Sequence, residues 1–175
     1  MLRRLEGRTI MPRLSPTDAA QNLYAIISRA LSGAALEDYG LSVSHEQGDQ
    51  VLRELLSLCL FWAWSALDAG LSDKDRDCVW EALAQCVRKA WTVELGLVPQ
   101  DLDGYSAELA ARRRLYESLT REGGDPAVLA AEAASRMEIE SVIEPEDRPK
   151  MLALLIDLVP ADELGEAMEE LQITD

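Results

Sequence analysis

The chain has 175 residues, 48% of them apolar and 28% charged, enough for one domain that buries roughly 70% of its unfolded surface without a disulfide or metal staple. It carries 17 Lys and Arg against 32 Asp and Glu, a formal net charge of −15. Such a surface repels phosphate backbones and anionic lipid, which disfavours general nucleic-acid and membrane-surface binding and favours a cationic partner.

The charge is uneven. Residues 1–14 hold four Arg and one Glu and read as a basic flexible tail, without the apolar stretch or small-residue cleavage site of a signal peptide. The remainder, 15–175, reads as one helical domain. Its first helix opens at Ser15-Pro16-Thr17-Asp18, where Ser15 caps, Pro16 suits the first helical position and Asp18 complements the positive helix end. Ala20, Leu23, Ile26, Ile27, Ala30 and Leu31 then recur at the spacing of one buried stripe up to Ser32. A short turn from Ala35 to Tyr39 and a polar loop through Gly48 follow.

The second helix is expected over 47–70. From Leu55 to Leu67 it is apolar around its whole circumference, which only a helix surrounded by others tolerates. Those thirteen uncharged residues fall short of the roughly 20 that cross a bilayer. A third helix, 73–95, is capped by Ser72 and carries Trp80, Leu83, Val87 and Trp91 beside a second apolar side of Val79, Ala82, Cys86, Ala90 and Val93. The tight Gly70-Leu-Ser72 turn predicts that helices two and three form a central antiparallel hairpin.

Residues 95–104 are rich in turn formers and mark the candidate internal boundary. Four further helices are expected at 104–121, 126–140, 150–158 and 161–172. The first of these should turn Tyr105, Leu109, Tyr116 and Leu119 inward and Arg112, Arg113 and Arg114 to solvent, paired with Glu108 and Glu117. In the sixth helix Met151, Leu152, Leu154, Leu155, Ile156 and Leu158 are expected to be buried. The last is amphipathic: Leu164, Ala167, Met168 and Leu171 on one face, Asp162, Glu163, Glu166, Glu169 and Glu170 on the other. The fold class is therefore all-α, a single bundle of six or seven helices whose acidic end helix is the least firmly attached.

Few constellations carry chemistry. His45 is the single histidine, and its place in a polar loop marks it as solvated or capping, not as the base of a hydrolytic triad. No Glu-x-x-His exists to build a di-iron site. Asp73, Asp75 and Asp77 resemble the opening of a calcium loop, but Cys78 stands where glycine is needed and Ala84 where a bidentate carboxylate is needed, so they read as first-turn acids. No glycine-rich phosphate loop or nucleophile elbow is present. Cys59, Cys78 and Cys86 match no zinc or disulfide framework and read as small buried hydrophobes in a reducing compartment.

Two functional readings follow. The preferred one is a non-enzymatic, cytoplasmic interaction or adaptor module, with Glu163, Leu164, Glu166, Met168, Glu170 and Leu171 contacting a basic protein partner. The alternative is a binder of a small apolar or aromatic ligand in a pocket lined by Trp62, Trp64, Trp80 and Trp91. Neither requires a metal or cofactor, and both leave self-association open.

Overall fold

The apolar run of the second helix sets the architecture. The computed structural model describes residues 13–169 and 172–173. Seven α-helices follow in order: α1 Pro16–Ser32, α2 His45–Gly70, α3 Asp73–Val93, α4 Asp101–Arg121, α5 Pro126–Ile139, α6 Arg148–Leu158 and α7 Ala161–Glu169, with 3-10 turns at Leu36–Tyr39 and Pro145–Asp147. The fold is all-α and globular. Its sole β feature among the described residues is a two-residue parallel bridge in which Arg13 faces Gln172 and Leu14 faces Ile173. The predicted N-terminal tail thus meets the fold at its last two residues; residues 1–12 lie outside the described residues.

The expected Ser15 and Ser72 caps form, and Asp125 caps α5: each accepts a hydrogen bond from the backbone N–H three residues on, and Pro16 and Pro126 open their helices. One cap contradicts the expected polar loop. Ser44 accepts from the Gln47 N–H while Gln47 Oε1 accepts from the Ser44 N–H at 2.8 Å, a reciprocal capping box that starts α2 at His45. Gly123, at φ +91°, and Gly124 end α4; a Cβ on Gly124 would lie 2.8 Å from the Leu119 carbonyl oxygen.

α2 packs against α1, α3, α4, α5 and α7 and buries Leu55, Leu56, Leu58, Cys59, Leu60, Phe61, Ala63 and Leu67. Each large apolar side chain so buried stabilises by roughly 1.5–3 kcal/mol relative to exposure, which makes α2 the energetic centre. The predicted α2–α3 hairpin is only part of the arrangement. The two helices touch across their turn, but α3 packs most extensively on α1, and α5 on α6.

Four expectations are corrected. α7 is not loosely attached: it packs along α2, with Leu164 0% and Met168 7% exposed. Ile156 is half-exposed and Val93 points almost wholly into solvent. Among the cysteines only Cys59 is buried, Cys78 being exposed and Cys86 intermediate. Within the 95–104 stretch Leu97 is buried, and the Trp91 Nε1 donates to the Val98 carbonyl at 2.9 Å.

Candidate functional site

The four tryptophans do not form one cluster. Trp91 is sealed at 1% exposure against Tyr105, with ring centroids 4.9 Å apart. Trp62 is half-buried and meets Phe61 edge-to-face at 5.3 Å, and its indole N–H has no hydrogen-bond partner. Trp64 and Trp80 meet edge-to-face at 5.1 Å on the outer side of α2 and α3. The Arg76 and Arg113 guanidinium groups lie 4.9 and 4.4 Å from the Trp64 ring centre, within the range of cation–π attraction.

Beside this pair lies an open cleft of about 230 Å³ between α2, α3 and α4. Its floor is Leu60 and Phe61 from α2. One wall is Trp80, Glu81, Ala84 and Arg88 from α3, and the other is Ser106, Leu109, Ala110 and Arg113 from α4. Helical spacing explains both walls: 80/81, 84 and 88 share one flank of α3, as 106, 109/110 and 113 share one flank of α4. Of the four predicted tryptophans, Trp80 lines this cleft and Trp64 lines a neighbouring recess with Phe61, Asp68 and Arg121. Trp62 and Trp91 line neither.

Behind the cleft, α2, α4 and α5 enclose a polar cluster that the sequence does not announce. Glu54, 2% exposed, accepts from Arg112 Nε at 2.7 Å and from the Tyr116 hydroxyl. Arg112 also lies 3.5 Å from Glu140, which pairs with Arg136 at 2.7 Å. Arg53 reaches Asp101 at 2.8 Å, and the buried Ser57 and Tyr105 hydroxyls are 3.0 Å apart. Burial raises the Tyr116 hydroxyl well above its ordinary value, and the Glu54 charge raises it further. Burial works against the Arg112 charge, yet Glu54 holds it above its ordinary value. The group is a paired, hydrogen-bonded tie between helices, and its carboxylate and guanidinium satisfy each other instead of facing a cavity.

The expectation that Arg112, Arg113 and Arg114 all face solvent is corrected: Arg112 turns inward to Glu54, Arg113 lies over Trp64 beside Glu117, and of the three Arg114 alone is exposed. His45, in the first turn of α2, is 89% exposed with Nδ1 4.0 Å from Asp49. Asp73 and Asp75 sit in the first turn of α3, and Arg76 pairs with Asp68, Asp73 and Asp77.

The candidate partner surface on α7 is altered by the packing. Leu164 and Met168 face α2 and are not available as contacts. Glu163 and Glu166 are exposed, with Glu163 paired to Arg29. Glu170 and Leu171 lie outside the described residues. No described helix is long and apolar enough to cross a membrane. Comparison with known proteins finds no matching family model, no matching curated protein and no matching solved structure.

Glu54 is the residue missed from sequence. A signal existed: Glu54, Leu58 and Phe61 follow the four-then-three spacing of a buried stripe, so a carboxylate at its head demanded a buried partner.

Proposed function

We propose that the protein is a binding module, acting in the cytoplasm, whose site is the α2–α3–α4 cleft and whose ligand is small with an apolar or aromatic body. The observation that carries this is Trp80, a half-buried indole on the wall of an open cleft floored by Phe61 and Leu60. Water against such a surface is released when a flat apolar ligand enters, which drives association. Three free thiols are in keeping with a reducing compartment. The test is calorimetric titration of the full chain with the neutral probe naphthalene-2-carboxamide, repeated on Ala84→Phe, which fills the cleft. Saturable binding that Ala84→Phe removes, with the helical circular dichroism retained, supports the reading. No saturable binding, or binding indifferent to Ala84→Phe, overturns it.

A second reading rests on charge. The exposed acids of α7, Asp162, Glu163, Glu166 and Glu169, favour a basic protein partner through long-range attraction that salt weakens. Reversing these four to Lys should cost a Lys/Arg-rich peptide more affinity than reversing four exposed acids elsewhere. Equal losses would assign the effect to net charge alone.

A further inference from the structure

We infer that the cleft takes a small organic carboxylate, its flat apolar body against Trp80 and Phe61 and its anionic end at Arg88 and Arg113. This deepens the cleft reading above and depends on it.

The argument starts from the distribution of cations. In a chain with almost twice as many acids as bases, a guanidinium is expected to find a close carboxylate. Arg76 lies 2.6, 3.0 and 2.9 Å from Asp68, Asp73 and Asp77, and Arg112 lies 2.7 Å from Glu54. The two arginines lining the cleft are bound less closely. Arg88 comes no nearer than 4.0 Å to Glu81, and Arg113 lies 3.4 Å from Glu117 while its buried Nε–H makes no hydrogen bond. Glu81, the one carboxylate of the lining, is drawn along its own helix by Gln85 Nε2 at 3.0 Å. The cleft lining thus holds two guanidinium groups and one carboxylate inside an acidic molecule.

Arginine remains charged at any physiological pH and presents planar donors that match a carboxylate. The Arg113 guanidinium is further held by the Trp64 face at 4.4 Å, so less motion is lost when it receives a ligand. The remainder of the lining, Leu60, Phe61, Ala84, Leu109 and Ala110, offers a cation no carboxylate and an apolar body a dry wall. Ser106 adds one hydroxyl able to donate or accept.

Three isosteric probes separate this inference from the reading beneath it: naphthalene-2-carboxylate, naphthalene-2-carboxamide and 2-naphthylmethylammonium, each titrated calorimetrically into the full chain. A charge-assisted hydrogen bond should favour the carboxylate over the carboxamide by roughly ten- to a hundredfold. In Arg88→Gln/Arg113→Gln the advantage of the carboxylate over the carboxamide should vanish. Carboxamide or ammonium binding as tightly as carboxylate, or a carboxylate advantage that survives the double substitution, overturns the inference and leaves the apolar cleft standing. Failure of all three probes, or binding of each undisturbed by Ala84→Phe, overturns the cleft reading itself.

Discussion

Replacing Arg112 by Met should be the most damaging single polar substitution in the interior. Glu54 has 2% of its surface exposed, and its partners are Arg112 and the Tyr116 hydroxyl. Without the guanidinium the carboxylate keeps one neutral donor in a site closed to water, a situation that costs about 3–5 kcal/mol. For a chain of this length that lowers the melting temperature by about 6–20 °C. Glu140 adds little to the loss, since it is nearly half exposed and keeps Arg136. The double variant Glu54→Met/Arg112→Met should be less destabilised than Arg112→Met, because no charge is left buried. Its residual deficit comes from the stranded Tyr116 hydroxyl, about 1–3 kcal/mol, and Tyr116→Phe should recover part of that. Urea unfolding followed by circular dichroism measures all three. An Arg112→Met deficit under about 1 kcal/mol, or a double variant as unstable as the two singles summed, would refute a buried charged pair.

Three further outcomes follow from burial. Glu108 is held above its ordinary 4.5 by desolvation, against the pull of Arg53 and Arg112; the stability it lends is present below that value and is lost as pH rises through the raised one, so Glu108→Gln should gain on the parent across that window, and a pH-independent difference between the two would contradict it. Leu164→Ala, at a position with no exposure under α2, should cost about 2–5 kcal/mol in chemical denaturation, whereas a cost below about 0.5 kcal/mol would place α7 off the core. Burial pushes the Cys59 thiol up to about 12, while Cys78 is exposed. Mass spectrometry after a short exposure to iodoacetamide should therefore find Cys78 modified and Cys59 intact until denaturant is added; early labelling of Cys59 would show that the core opens readily.

Which parts of this molecule could be read from sequence depends on the range of the interaction. Caps and stripes lie within four residues of one another, so Ser15, Ser72 and the buried face of α1 were legible, and so was the central place of α2. The Ser44 cap obeys the same rule, but the polar run His45-Glu-Gln-Gly hid it, because first-turn polarity and loop polarity look alike in composition. Pairings between helices have no such local trace. Arg112 has Glu108 at i−4, a same-face neighbour that suggests a solvated surface pair; its actual partner, Glu54, lies 58 residues away. The amphipathy of α7 established that Leu164 and Met168 cover something, without saying whether that was α2 or another protein.

The cleft is the hardest feature to foresee, and for a definite reason. A hydrophobic stripe assigns each position to inside or outside, yet clefts form from positions at the stripe's edge, where two helices diverge and neither condition holds. Trp80 and Arg88 sit two turns apart on one flank of α3, and Leu109 and Arg113 one turn apart on α4. Read along its own helix, each flank is an ordinary boundary between core and solvent, with an aromatic or aliphatic residue inside and a charged one beyond. Only when α3 and α4 stand over Phe61 do the two boundaries face each other, and an apolar floor acquires cations at its rim. A cleft of this kind belongs to the pairing of helices, and no single helix carries its signature.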